Sequence, residues 1–290
     1  MLILCALCWS GNFIVGKIAT LYEVPPLSLN FFRWLIVWLI LLPFTIKDIL
    51  QNKELVRKKF LSLLIMSVTS ISIFNSVVYY SLNFTQVLTG VLMISTIPVL
   101  IIFISNLFRV ENISKFQIIG VILSMFGVLI IITKSDFYKL IHLDLNKGDL
   151  WLLVAMISWA VYSTMLKSFK SSLSSFSFIQ IIVTIGLVFL FPQFLFEYFS
   201  GQRINLNIQV MLTISYVVLF AGLGAYLLWN GAISIIGPSK SGVFLHLMPV
   251  FTSFMAIFLL NETLMNFHII GAIIIIFGIY LSSKKKLIKN

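Results

Sequence analysis

The chain has 290 residues, of which 60% are hydrophobic and 10% charged, and its mean hydropathy is +1.09. Soluble domains carry about 25% charged residues, so this composition excludes a soluble globular enzyme. The high apolar content also excludes an intrinsically disordered chain. In a soluble protein the net charge of +11 would suggest a nucleic-acid partner, but in a membrane protein it predicts orientation, because cytoplasmic loops collect Lys and Arg.

Ten apolar runs are long enough to cross a membrane as helices, and their unbroken length argues against an outer-membrane β-barrel. The predicted spans, numbered 1 to 10, cover residues 2–20, 28–46, 61–82, 87–108, 116–133, 149–167, 176–196, 209–233, 241–260 and 265–282. The longest connection, 134–148, is too short to form a domain. We therefore predict an all-α polytopic membrane protein.

The distribution of basic residues predicts the orientation. The chain starts at Met1 almost inside span 1 without a basic leader, so we expect no cleavable signal peptide, and a slightly truncated start stays open. With a cytoplasmic N-terminus, the inner segments hold 14 Lys and Arg residues and the outer segments hold 4. This excess predicts that both termini are cytoplasmic, in a cytoplasmic (inner) membrane.

An internal repeat divides the chain into halves 1–134 and 135–290. Landmark residues recur 151 positions apart as the pairs Pro98/Pro249, Glu111/Glu262, Gly120/Gly271 and Gly127/Gly278. Trp9 and Lys17 match Trp159 and Lys167 at an offset of 150. Because each half holds an odd number of spans, five, the second half is predicted to be inverted relative to the first. Inverted repeats are typical of secondary transporters, whose substrates bind near the midplane between the repeats.

Several motifs resemble the EamA-type branch of the drug/metabolite transporter superfamily. They are Trp9-Ser10-Gly11-Asn12-Phe13, Phe31-Phe32-Arg33-Trp34, Glu111 after span 4, Gly237-Pro238-Ser239 and Pro249-Val250-Phe251, within the five-plus-five arrangement of spans. The resemblance covers essentially the whole chain. It implies export or exchange of small metabolites, often amino acids or amphipathic drugs, and it leaves the substrate open.

Charged residues inside the spans are few. All nine acidic residues lie in predicted loops or at span ends, which argues against a carboxylate proton relay at mid-membrane. Lys17 and Arg33 lie toward the outer ends of spans 1 and 2. They form either a cationic site for a carboxylate or phosphate group, or they snorkel to the outer headgroups or pair with Glu23. Arg33 also matches an Arg of the resembled family, for which a structural role is an alternative.

Aromatic and amide residues recur at helical spacing, which places each set on one face of a span. An amide inside a membrane needs a polar partner, so these faces are expected to point inward. The functional interpretation is a substrate pocket, and the alternative is plain packing or an interfacial aromatic belt. The candidate substrate-binding residues are Trp9, Asn12, Asn75, Tyr79, Trp159, Tyr162, Ser163, Tyr226, Trp229 and Asn230.

His246 and two prolines complete the candidate residues. His246 lies inside span 9, where it either binds substrate or a proton, or makes a hydrogen bond between helices. Pro98 and Pro249 are predicted to bend spans 4 and 9. The bends either allow a rocking motion of the two halves or only shape the helix bundle. The glycines at 120, 127, 271 and 278 predict close packing of spans 5 and 10.

These features predict a secondary transporter, not an enzyme, that moves amino acids or related amphipathic solutes, with export as the expected direction. The central cavity is expected between spans 1, 3, 4, 6, 8 and 9. No phosphate-binding loop, metal motif or catalytic set occurs in the sequence, so we expect no cofactor and no metal. The expected partners are a small-molecule substrate and the lipid bilayer, without nucleic acid, and a homodimer stays open. A channel is the first alternative and an intramembrane enzyme the second. Coupling to protons, exchange and facilitated diffusion are all open.

Overall fold

The computed structural model describes residues 1–81, 84, 87–142, 146–260 and 263–284, without the side chains of a few helical residues that include Lys17. Glu262 and the basic residues at 285, 286 and 289 lie outside this description. The main helices are α1 Leu2–Leu21, α2 Pro26–Gln51, α3 Phe60–Ser81, α4 in two parts (Val87–Ile94 and Ile97–Leu107), α5 Lys115–Thr133, α6 Lys147–Ser168, α7 Ser175–Phe199, α8 Ile208–Ile236, α9 in three parts (Pro238–Gly242, the 3-10 turn Val243–His246 and Leu247–Leu260) and α10 Asn266–Ser283. Short helices Lys53–Lys58 and Tyr138–Ile141 lie in connections.

Eight of these helices, all except α4 and α9, are long and apolar enough to cross a membrane, within the residues that the structure describes. Helices α4 and α9 are interrupted one turn before a proline. Pro98 and Pro249 lack the N–H that would bond to Ile94 and Leu245, so the regular hydrogen-bond ladder cannot continue through either position. In α4 the chain turns at residues 95–96, and in α9 it tightens into the 3-10 turn.

Helices α5 and α10 cross through their glycines. A Cβ atom on Gly120 would lie 2.5 Å from the Gly278 carbonyl oxygen, and one on Gly278 would lie 2.6 Å from the Gly120 carbonyl oxygen. Gly127 and Gly271 oppose each other in the same way, with 2.8 Å in both directions. The two backbones therefore approach so closely that only glycine fits, as expected for small-residue packing in membranes.

Helices α2 and α7 exchange carboxylate caps. Glu197 at the end of α7 is buried and accepts hydrogen bonds from the Leu27 and Ser28 N–H groups, at 2.9 and 2.6 Å, at the start of α2. At the opposite end, Asp48 of α2 accepts a hydrogen bond of 3.1 Å from the Ser174 N–H at the start of α7. A carboxylate stabilises a helix N-terminus because the first N–H groups have no partner within the helix. These bonds fasten the two helices at both ends.

The core that positions the candidate site lies among α1, α2, α3, α6 and α8. Helices α3 and α8 each contain a π-helical segment, Val68–Ile73 and Val217–Gly224. A π segment shifts the hydrogen-bond ladder by one residue and frees carbonyl groups for other donors, and such segments are frequent at functional sites. Both segments face the core described next.

Candidate functional site

Seven aromatic side chains, five of them buried and two partly buried, form one cluster, which we call the aromatic cluster. Its members come from α1, α2, α3, α6 and α8 and are Trp9, Trp34, Phe74, Trp159, Tyr162, Tyr226 and Trp229. Trp159 is at the centre, with its ring centroid 4.7 Å from Phe74, 5.3 Å from Trp9 and 5.4 Å from Tyr226. Several contacts are edge-to-face, an arrangement favoured by the ring quadrupoles. In this conformation the rings fill the space between the helices.

Polar groups of α6 and α8 lie within the cluster. The Tyr162 hydroxyl donates to Asn230 Oδ1 at 2.7 Å, and Trp229 Nε1 donates to Ser163 Oγ at 3.2 Å. Asn230 Nδ2 is buried without a hydrogen-bond partner in the described part of the chain. A buried amide without its partner is costly, so this group has capacity left for a ligand.

The two π segments offer carbonyl oxygens to the cluster at positions 151 apart. Ser70 O accepts from the Tyr226 hydroxyl at 2.8 Å and from Asn75 Nδ2 at 3.1 Å. Ala221 O accepts from Trp9 Nε1 at 3.1 Å and from an Arg33 terminal nitrogen at 2.7 Å. Matching irregularities in α3 and α8 therefore hold side chains from both halves of the sequence.

Arg33 is buried beside the cluster, with 1% of its surface exposed. Besides the bond to Ala221 O, its other terminal nitrogen donates to Asn75 Oδ1 at 3.2 Å and to the Tyr79 hydroxyl at 3.4 Å. Its guanidinium carbon lies 5.0 Å from the Trp34 ring centroid, a cation–π contact. The alternatives of snorkelling to the headgroups and pairing with Glu23 do not describe this position.

His246 lies on a different set of helices. Its Nε2 bonds to Ser95 O at the break in α4, at 2.9 Å, and its Nδ1 bonds to Ser124 Oγ of α5, at 2.6 Å. Because a carbonyl oxygen can only accept, Nε2 carries a proton. The fully buried imidazole thus joins α4, α5 and α9 at one point. The interhelical hydrogen bond expected as one of two interpretations is present, and substrate binding by His246 stays a prediction.

The structure places the other predicted residues as follows. Asn12 lies on α1, with Oδ1 buried and without a partner in the described part of the chain. Pro98 and Pro249 directly follow the breaks in α4 and α9. The side chain of Lys17 lies outside the described part, so its two interpretations stay as predicted.

Sequence reasoning missed Trp34, Phe74 and the two π-segment carbonyls. Trp34 directly follows Arg33, and Phe74 directly precedes Asn75. Their positions next to predicted residues were therefore a usable signal. The π segments follow from hydrogen bonding rather than from hydropathy, and the sequence carries no comparable signal for them. In the described part of the chain no group of three His, Cys, Asp or Glu side chains is placed to hold a metal ion.

Two cavities lie away from the cluster. One, of about 440 Å³, lies between α1 and α8 and is lined mainly by apolar side chains such as Val15 and Leu219. The other, of about 290 Å³, is bordered by Glu111, Gln117 and Lys240 at the opposite end of α8. The aromatic cluster has a member from α2 and none from α4 or α9, so the central cavity expected between spans 1, 3, 4, 6, 8 and 9 stays a prediction.

Comparisons with known proteins agree with this architecture. The sequence profile described as the EamA-like transporter family matches residues 1–133 and 146–284. The uncharacterized transporter YyaM of Bacillus subtilis is 29% identical over 232 residues, covering 80% of this chain and 76% of that protein. An uncharacterized transporter of Archaeoglobus fulgidus is 26% identical over 294 residues, covering 99% and 97%. A protein crystal structure with 14% identity shares the fold, with a TM-score of 0.78 over 96% of this chain and 93% of the other.

The resemblance derived from the sequence motifs is confirmed by the profile match, which extends over most of the chain. Together with the eight long apolar helices, it makes this a multi-pass membrane protein. The chain belongs to the EamA-like transporter family, within the drug/metabolite transporter superfamily.

Proposed function

We propose that this protein is a secondary transporter that moves small organic solutes across the cytoplasmic membrane by alternating access. The observation that carries the proposal is the buried aromatic cluster, where rings from five helices surround polar groups with unused hydrogen-bonding capacity. Pockets for small organic molecules combine apolar and aromatic walls with a few convergent polar groups. The cluster is therefore the proposed substrate site, closed in this conformation.

The proposal includes ten transmembrane helices in two inverted halves, 1–134 and 135–290. Contacts that exchange under the 151-residue offset support it. The contact of Gly120 with Gly278 becomes that of Gly271 with Gly127, and the contact of Gly127 with Ile275 becomes that of Gly278 with Ser124. The π segments of α3 and α8 also lie at matching positions. A pseudo-twofold relation of this kind is the expected basis for alternating access.

Opening of the site requires helices that can change direction. The breaks in α4 and α9 lie at Ser95 and at the turn containing His246, and the two residues are hydrogen-bonded to each other. Movement of α4 against α9 at this joint would uncover the cluster from one side at a time. The ring-to-ring packing of the cluster favours this mechanism over an open channel.

The proposed substrates are amino acids or related amphipathic metabolites, and the proposed direction is export. The excess of basic residues in the predicted inner segments supports a cytoplasmic location of both termini. The acidic residues that the structure describes lie in connections or near helix ends, so a carboxylate relay for protons has no support among them, and exchange or facilitated diffusion competes equally with proton antiport.

Transport in proteoliposomes tests the proposal. A library of labelled amino acids and amphipathic acids is offered to the purified wild-type protein and to the variants Trp159→Ala and His246→Ala. We expect saturable transport by the wild type and its loss in both variants. Transport that collapses when the pH gradient is removed would establish proton coupling, and full activity of both variants would place the site elsewhere.

A further inference from the structure

Arg33 is a permanent positive charge in the bundle, and the described residues include no charged partner for it. A guanidinium does not lose its proton in proteins, and burial without compensation is costly. Its three hydrogen-bond acceptors, Ala221 O, Asn75 Oδ1 and the Tyr79 hydroxyl, are all neutral. Among the described residues no carboxylate lies within salt-bridge distance of it. The site therefore holds one unbalanced positive charge at the edge of the aromatic cluster.

Two donors at this point are also unused. Arg33 Nε and Trp34 Nε1 are buried, and neither has a hydrogen-bond partner in the part of the chain that the structure describes. Arg33 Nε faces Gly222 in the π segment of α8, where an added Cβ would lie 3.3 Å from it. Because Gly222 has no side chain, the Nε edge of the guanidinium faces only the backbone of α8. A small displacement of α8 would therefore give a ligand access to Nε.

We propose that Arg33 receives the carboxylate of the transported solute, with the apolar part of that solute packed against the aromatic cluster. The inference rests on the proposed function and narrows the substrate class to amphipathic organic acids, including amino acids. A carboxylate supplies the missing negative charge and accepts two parallel N–H bonds from a guanidinium, which a carbonyl oxygen cannot do. In the closed conformation the carbonyl of Ala221 and the amide of Asn75 occupy that position.

A purely structural role for Arg33 makes a different prediction. If Arg33 only fastens the π segment of α8 to α2 and α3, its replacement weakens binding of every ligand equally. If Arg33 receives a carboxylate, its replacement removes the preference for acids over their neutral analogues. The difference between an acid and its amide therefore separates the two roles.

The experiment measures ligand-induced stabilisation in detergent with two matched pairs of an acid and its neutral amide, 3-phenylpropionate with 3-phenylpropionamide and N-acetylphenylalanine with N-acetylphenylalaninamide. The proteins are the wild type, Arg33→Gln, Arg33→Lys and the control Arg203→Gln, which removes an exposed positive charge stacked on Tyr198. Size-exclusion profiles establish folding. Arg33→Lys retains the positive charge but lacks the planar guanidinium. It replaces Arg33→Gln in the measurement if Arg33→Gln does not fold.

We expect the wild type and Arg203→Gln to bind the acids in preference to the amides. Arg33→Gln should lose about tenfold or more in affinity for the acids and change little for the amides. Equal weakening of acids and amides, retention of the preference in Arg33→Gln and Arg33→Lys, or absence of acid binding by the wild type would each overturn the proposal. Acid binding through Arg33 without transport in proteoliposomes would uphold carboxylate recognition by Arg33 while refuting the proposed function.

Discussion

The crossing of α5 and α10 and the aromatic cluster are both buried, yet they are built from opposite extremes of side-chain size. In the crossing, backbone meets backbone, and a single methyl group on Gly278 would lie 2.6 Å from the Gly120 carbonyl oxygen. In the cluster, rings meet rings at centroid distances of 4.7 to 6.3 Å, and side chains can rotate without moving the backbone. Close-packed backbones resist sliding, whereas ring contacts can be exchanged for contacts with a ligand.

The difference extends to the number of unsatisfied polar groups, since at the crossing only Ser282 Oγ is a buried side-chain atom without a partner in the described part of the chain. Around the cluster, Asn230 Nδ2, Arg33 Nε and Trp34 Nε1 are buried donors without partners in the described part of the chain. A structural core seldom retains several unsatisfied donors in one place, because each has a desolvation cost. The crossing is thus suited to a fixed seam and the cluster to a site that opens. Substitutions in the two regions should differ accordingly in their effects on stability and on ligand binding.

The largest effect is expected for Trp159→Ala at the centre of the cluster. The substitution removes ring contacts with three other helices, α1, α3 and α8, and leaves a cavity, which should lower the free energy of unfolding by about 3 kcal/mol or more. The matched control is Trp151→Ala on the same helix, whose side chain is 49% exposed. Denaturant titration in mixed micelles measures stability, and a thermal-shift assay measures ligand response. Equal behaviour of the two variants would contradict the central position of Trp159.

The crossing is tested by Gly278→Ala, for which we expect a loss of about 1–3 kcal/mol through overpacking. The control is Gly16→Ala in α1, where an added Cβ would have no neighbour within 4 Å. Because alanine favours helix over glycine, this control should retain or gain stability by about 0.5–1 kcal/mol. Gly278→Ala protein that still folds should bind ligands normally, in contrast to Trp159→Ala. A Gly278→Ala protein with wild-type stability and altered ligand affinity would contradict the assignment of the crossing as a fixed seam and of the cluster as the ligand site.

The sequence predicted the side chains of the aromatic cluster better than the irregular backbone segments of the helices. Helical spacing placed Trp159 and Tyr162 on one face of α6, and Trp229 and Asn230 on one face of α8 with Tyr226. Side chains of these two faces do meet. The π segments and the 3-10 turn of α9 were not predicted, because hydropathy does not encode which carbonyl a given N–H bonds to. Long-range partners were equally inaccessible, as the Ala221 carbonyl that holds Arg33 lies 188 positions along the chain.

The partner of Glu197 is another long-range contact that the sequence did not predict, because a position at a helix end gives no indication of a partner on α2. We expect Glu197→Gln to lower stability by about 1–2 kcal/mol, because the buried carboxylate receives two N–H groups and the Ser28 hydroxyl. Asp48→Asn is the matched control at the other end of the helix pair, and its more exposed position predicts a smaller loss. Thermal unfolding of both variants measures the difference. A larger effect at Asp48 would show that burial does not determine the strength of these caps.

The smallest effect is expected at Ser124, where the crossing of α5 and α10 meets His246 at the joint between α4 and α9. Its side chain lies on the glycine seam, 2.8 Å from where a Cβ on Gly278 would be, and its hydroxyl bonds to His246 Nδ1 at 2.6 Å. Ser124→Ala should cost about 1 kcal/mol, the typical net value of one hydrogen bond, because His246 Nδ1 is left buried without a partner. Ser215→Ala, which removes an exposed hydroxyl bonded only within α8 at 2.8 Å, provides the control in the same unfolding assay. If Ser124→Ala and Ser215→Ala were equally stable, the seam would not anchor His246, and the joint between α4 and α9 would be free to move independently of α5.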